Sequence, residues 1–257
     1  MSIEFRSASH VAYVTIDRPD VLNAIDAESE ARLEEIWQRI ETDREIRAVV
    51  LSGAGGRAFC TGADMKNVGR SGLEYWAAAR PHGFGGISLR TTLDVPVIAR
   101  VNGHALGGGF EMVLGCDIVI AAENATFGFP EPRVGRLPVD GGMVLLPRQI
   151  PFHQGMGLLF TGRRIKAAEA LAMGLVNEVV PAAELDAAVH RWLGEVLACA
   201  PLSLRAIKQT VRRTAQLPVN EAQALRLPAL IECLQSEDGE EGVRAFQEKR
   251  APVWSGR

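Results

Sequence analysis

The chain has 257 residues, 47% hydrophobic and 23% charged, with a formal net charge of −3, which bounds it to one large α/β domain or a core with a smaller appendage. No Lys/Arg block supplies the basic face that nucleic acid needs, although a few local cations and backbone N–H groups suffice for a phosphate. The N-terminus lacks a signal-peptide pattern, no apolar run reaches bilayer length, and Cys60, Cys116, Cys199 and Cys233 are scattered without metal-ligand spacing, so a cytoplasmic protein with packed, reduced thiols, no metal and no membrane contact is expected.

Residues 11–16 (VAYVTI) form a β-branched run that stops at Asp17-Arg18-Pro19. Asp26 offers a helix N-cap, with Glu28 and Glu30 in the first turn and apolar positions at Leu33, Ile36 and Ile40. Further strands are expected at 48–51, 97–101 and 118–122, with a helix over 109–115 before the last of them. Strands alternating with helices predict βαβ units and a largely parallel sheet. Residues 67–90 mix glycine, aromatic and polar residues around Pro81. They read as a mobile or irregular helix-loop segment of the kind that often lines a pocket. From Ala167 the pattern turns helical, with a first helix ending at Gly174 and others over 184–197, 202–214 and 238–248. No internal repeat is visible.

Three segments carry chemistry. Ala58-Phe59-Cys60-Thr61-Gly62-Ala63-Asp64-Met65-Lys66 runs from a strand through a glycine turn toward a helix start. Such a junction exposes backbone N–H groups that can hold an anion or a developing oxyanion. It also reads as a plain loop. In Asn102-Gly103-His104-Ala105-Leu106-Gly107-Gly108-Gly109-Phe110-Glu111, three glycines let something approach the backbone closely, and Glu111 falls in the first turn of the following helix. The glycines can equally be structural punctuation. Phe127-Gly128-Phe129-Pro130-Glu131-Pro132-Arg133-Val134-Gly135 sets a carboxylate between two prolines, on a rigid and poorly helical backbone. Apolar neighbours would raise its pKa; the alternative is a surface glutamate paired with Arg133.

Together these segments resemble the crotonase superfamily, whose best-known members are enoyl-CoA hydratases. The resemblance rests on Arg18-Pro19 with Leu22-Asn23-Ala24, on AFCTGADMK, on NGHALGGGFE with Cys116-Asp117, on FGFPEPRVG followed by Gly141-Gly142, and on Ala245-Phe246, Glu248-Lys249-Arg250, Pro252 and Trp254 in the tail. It spans nearly the whole chain. It implies an α/β fold, a spiral of ββα units over residues 1–195, with a C-terminal helical region at 196–257 that builds a homotrimer or a hexamer of paired trimers. It implies an acyl-CoA thioester as substrate, with no cofactor beyond the coenzyme A that the substrate carries. The thioester oxygen would lie between the N–H groups of Ala63 and Gly108. The adenine end would lie along Ala63, Asp64, Met65 and Lys66, with Lys66 and Lys249 near its phosphates. Glu111 and Glu131 match the hydratases' acid–base pair, so addition of water to a 2-enoyl-CoA is the leading expectation.

Asp140, before Gly141-Gly142, departs from the simple hydratases. It stands within one position of a third acid found in some isomerases and carnitinyl-type dehydratases. It either turns the chain or points to isomerisation or dehydration of a functionalised acyl-CoA. A non-catalytic acyl-CoA binder is a third alternative, disfavoured by the intact glutamate pair. His104 is expected as a packed or rim residue, and Cys60 as buried. Trp76 and Phe84 either line the acyl pocket or pack their loop.

Overall fold

The structure is a computed structural model and describes residues 2–64 and 72–257. Its strands are β1 (Ile3–Ala8), β2 (Val11–Ile16), β3 (Ala48–Gly53), β4 (Ala58–Cys60), β5 (Val97–Val101), β6 (His104–Leu106), β7 (Ile118–Ala122), β8 (Thr126–Gly128), β9 (Ile165–Lys166) and β10 (Glu178–Val180). The helices are α1 (Ala27–Thr42), α2 (Gly72–Ala77), α3 (Gly108–Gly115), α4 (Gly142–Gln149), α5 (Phe152–Thr161), α6 (Ala167–Ala172), α7 (Leu185–Leu197), α8 (Pro201–Thr214), α9 (Val219–Ala224), α10 (Pro228–Leu234) and α11 (Glu237–Gln247). Among the described residues, no helix is long and apolar enough to cross a membrane.

Two sheets organise the chain. The larger has the order β1-β2-β3-β5-β7-β10 and the smaller β4-β6-β8-β9. In the larger sheet only β1 and β2 are antiparallel, joined at Ser9 and His10, whose φ values of 49° and 66° give the twist a tight hairpin needs. Successive turns of the chain visit the large sheet, then the small one, then a helix: β5, β6 and α3 make one such unit. This is the expected ββα spiral. Of the small sheet, β4 is the strand expected at Ala58; β6, β8 and β9 were not anticipated, because they are only two or three residues long, too short for a period-2 pattern to register.

The large sheet is covered on both faces. Helix α1 starts where expected, with the Asp26 side chain accepting from Ser29 N at 2.9 Å, and buries Leu33, Ile36, Trp37 and Ile40. On the other side α7 buries Ala188, Val189 and Leu193 against Val50, Ile98 and Ile120. Burial on both faces explains the continuous apolar runs of β3 and β5.

Of the two alternatives for this segment, residues 83–90 follow the irregular one. They are irregular but largely buried and pinned. Trp37 Nε1 donates to Gly85 O at 2.8 Å, and the almost wholly buried Arg90 pairs with Glu41 at 2.6 Å and Glu34 at 2.9 Å. Ser88 Oγ accepts from Phe84 N at 2.8 Å and donates to Asp140 O at 2.6 Å.

Candidate active site

The site begins with the turn after β2. Leu22 and Asn23 adopt left-handed φ values of 55° and 56°. The Asn23 side chain fastens the turn by accepting from Arg18 N and donating to the carbonyls of Ala54 and Ala58, at 2.8–3.0 Å. The Arg18 guanidinium then gathers Asp26 at 2.8 Å and Asp64 at 3.2 Å. The result is a parallel bridge between Ile25 and Ala63, in which Ile25 N donates to Gly62 O and Asp64 N donates to Ile25 O. That pattern leaves the Ala63 N–H on the opposite side of its strand. Asp64 was expected beside the coenzyme, and its carboxylate is held by Arg18. Met65 and Lys66 lie outside the described residues.

Gly108 opens α3, so its N–H has no intrahelical acceptor. The backbone at Gly62 (φ +91°) passes so close that a Cβ there would stand 3.1 Å from Gly108 N. Three close approaches explain the glycine run. A Cβ on Gly109 would lie 2.1 Å from Cys60 O, one on Gly108 would meet the Phe84 ring at 2.6 Å, and one on Gly107 would meet Glu131 Oε1 at 2.7 Å. Phe84 therefore packs beneath the glycines. Cys60 is buried, its thiol pushed up to about 12 by desolvation. The exposed alternatives fare differently: Trp76 is 65% exposed, and His104 stays on β6 with Nδ1 2.8 Å from Thr126 Oγ1.

The two glutamates meet over this glycine run. Glu111 is 3% exposed and accepts from Gly142 N at 2.8 Å through Oε1. Burial pushes its carboxyl up to about 8; the Gly142 N–H opposes the rise, and the charges of Asp140 and Glu131 add to it. Glu131 heads a 3-10 turn over Glu131–Val134, a helical turn that the flanking prolines were expected to disfavour. Pro132 fits because its missing N–H falls where a helix start needs no donor. Phe129 stacks on Phe110 of α3 with ring centroids 4.6 Å apart, which ties the turn to the helix that carries Glu111. Burial pushes Glu131 up to about 7, and among the described residues its Oε2 is buried without a hydrogen-bond partner. Arg133, the partner of the surface-turn reading, turns away and donates from Nε to Thr161 O at 2.8 Å.

Asp140 is buried, with 6% exposure, so it does more than turn the chain. Tyr75 Oη donates to its Oδ2 at 2.5 Å, and Arg80 Nε stands 3.4 Å from its Oδ1. Tyr75 and Arg80 are site residues that the sequence did not single out, and nothing in their spacing signals them. Lys249 is exposed just past α11, with a left-handed φ of 55°. Among the described residues no cluster of His, Cys, Asp or Glu has the arrangement of a metal site.

A ββα spiral whose glycine-lined helix start brings one buried and one half-buried glutamate beside outward backbone N–H groups defines the crotonase class of fold. Residues 6–257 match the family described as enoyl-CoA hydratase/isomerase. The chain is 40% identical over 248 residues to a carnitinyl-CoA dehydratase of Salmonella typhi, covering 95% of this chain and 94% of that protein. It is 41% identical over 257 residues to the (E)-benzylidenesuccinyl-CoA hydratase of Thauera aromatica, covering the whole of both. The crystal structure of an enoyl-CoA hydratase from Bacillus anthracis superposes with a TM-score of 0.91 at 33% identity, over the whole of both chains. The chain belongs to the enoyl-CoA hydratase/isomerase family of crotonase-fold enzymes.

Proposed function

We propose that the enzyme adds water reversibly across the 2,3 double bond of a 2-enoyl-CoA thioester, with Glu111 and Glu131 as the acid–base pair. The observation that carries this reading is the pair itself: the buried Glu111 and the half-buried Glu131, both with raised proton affinity, one rooted in the helix that Gly108 opens and the other above Gly107. Near neutral pH such a pair can hold one proton between them, which the reaction needs. One carboxylate takes a proton from water as the oxygen bonds to C3. The other carboxyl delivers its proton to C2 as negative charge leaves the thioester oxygen. The Ala63 and Gly108 N–H groups support that charge in the enolate-like intermediate. Preset donors of this kind are each worth about 3–4 kcal/mol of barrier, and positioned proton transfer contributes roughly a hundred- to ten-thousand-fold in rate.

Both dehydratase and hydratase relatives near 40% identity carry names of functionalised acyl groups. That favours a polar or aromatic acyl-CoA over a plain alkyl one. The coenzyme is proposed to run along Ala63, Asp64, Met65 and Lys66, with Lys249 near its phosphates, and the C-terminal region at 196–257 to assemble the chain into trimers or hexamers in the cytoplasm.

The test follows the conjugated enoyl-thioester absorbance with crotonyl-CoA and with functionalised homologues in deuterated water. A hydroxyacyl product with deuterium at C2 is expected. A product without added water would make the enzyme a double-bond isomerase, the second reading. Glu111→Gln and Glu131→Gln should each lower kcat at least a hundredfold, and full activity in both sinks the assignment.

A further inference from the structure

Behind Glu111 lies a chain of charged and polar groups that the acid–base reading does not use. Helix α2 carries Tyr75, and Arg80 follows it within five residues. The Arg80 guanidinium stacks on the Tyr75 ring at 4.4 Å, and its terminal nitrogens grip both carboxylate oxygens of Glu30 in α1. Tyr75 Oη and Arg80 Nε both face the carboxylate of Asp140. Asp140 in turn stands two residues before Gly142, whose N–H holds Glu111, and its own carbonyl accepts from Ser88. The cluster therefore connects α1, α2 and the segment before α4 to one catalytic carboxyl.

We propose that Tyr75, Arg80 and Asp140 are positioning residues: they fasten α2 to the 138–142 segment and hold the Asp140 side chain beside Glu111, so that Glu111 carries the proton shared by the catalytic pair. This rests on the acid–base reading above.

The electrostatics follow from the neighbours. Glu111 is faced by the Asp140 and Glu131 side chains, which favour its neutral form, and by the backbone N–H groups of Gly142 and, more weakly, Asp140, which favour the charged one. Across α3, the Cys60 thiol stays neutral because burial raises it. Asp140 is faced by Tyr75, whose ionisation is suppressed by burial and then by Asp140's own charge. The Arg80 guanidinium is shared between Asp140 and Glu30. A like charge close by disfavours ionisation, and a buried one is little screened by salt.

The test is the pH dependence of kcat/KM, whose alkaline limb reports loss of the pair's last proton. Asp140→Asn removes the charge and should move that limb at least half a pH unit toward acid, while Asp140→Glu, which keeps the charge, should hold it near the wild-type position. Asp140→Ser serves where the asparagine variant does not fold. Tyr75→Phe leaves the ring against Arg80 but deletes the donor to Asp140, and amide hydrogen exchange over residues 72–80 should quicken at least tenfold. Unmoved limbs with a uniformly lower plateau in Asp140→Asn overturn the proposal, as does unchanged exchange in Tyr75→Phe. If Glu111→Gln is itself fully active, the acid–base reading has failed instead. An inactive Glu111→Gln beside an unshifted Asp140→Asn overturns only the positioning role.

Discussion

Glu111 carries a stability cost that its variant should reveal. Its carboxyl binds a proton more tightly in the folded chain, at about 8, than at the ordinary value of 4.5. The folded state therefore holds the extra proton across that interval. The favourable contribution is complete below about pH 4.5 and is lost as pH rises to 8. At 1.36 kcal/mol per pH unit, the burden above pH 8 is on the order of 3–5 kcal/mol. Glu111→Gln removes it while keeping the shape. The variant should melt about 5–10 °C above wild type at pH 9, and close to wild type at pH 5. A lower Tm at pH 9 would contradict the assigned burial. At this scale the sequence singled out acids that the fold brings near one another, because glycine runs and prolines mark backbone that side chains must approach. It was silent on Tyr75 and Arg80. Their role depends on meeting Asp140 some sixty residues away, and no local pattern encodes such a meeting.

Elements were legible in proportion to their length. The helices α1, α7, α8 and α11 and the strands β2, β3, β5 and β7 stand where periodicity and capping put them, within a residue or two. Strands β6, β8 and β9 and helices α4 and α5 escaped notice, the former for brevity and the latter for an interior Pro147 and glycines at 155 and 157. What joins these elements is also non-local. Helix α8 sends Lys208 into the interior, where Nζ donates to Val95 O at 2.7 Å and to Asp117 Oδ2 at 2.6 Å. Arg212, one turn on, takes Asp117 Oδ1 and the carbonyls of Gly115 and Arg90 at 2.7–2.8 Å. The pair thus moors α8 to the end of α3, the helix of Glu111. Lys208 is buried while Asp117 reaches solvent, so removing the carboxylate strands the ammonium. Asp117→Ala leaves the Lys208 ammonium buried with one carbonyl, and should cost about 3–5 kcal/mol. Lys208→Met leaves Asp117 bound by Arg212 and by Val97 N at 2.8 Å, and should cost less than half as much. Urea unfolding checks the order: the midpoint should fall further in Asp117→Ala, with the slope unchanged. Equal midpoints would mean that the lysine is not committed to the carboxylate.

For the whole molecule, the unbalanced feature is apolar surface. The described residues leave Leu234 77%, Val243 60% and Phe246 86% exposed on α10 and α11. Phe152 and Phe160 of α5 are likewise 61% and 76% exposed. Single exposed apolar residues need no explanation, but groups of large ones on neighbouring elements mark surfaces that another protein covers. A second copy is the economical occupant, because the resemblance read from the tail motif already pointed to a trimer or hexamer and because closed homo-oligomers are the common solution. The amphipathic pattern of α11 fits this. Its acidic and basic residues form an internal network, in which Glu241 accepts from Arg250 Nη1 at 2.6 Å and from Val253 N at 2.8 Å. That network fixes the tail, while Phe246 and Val243 face outward. Sedimentation equilibrium should therefore give a mass near three or six times 27.8 kDa. Phe246→Glu combined with Val243→Glu should lower that mass by placing charges in the contact, where an unpaired buried charge costs several kcal/mol. The wild-type Tm should rise with protein concentration, since folding and assembly are linked by mass action, and this dependence should weaken in the double variant. A wild-type mass of one chain would remove this reason for the exposed residues, and an unchanged oligomer in the double variant would move the contact to the α5 face.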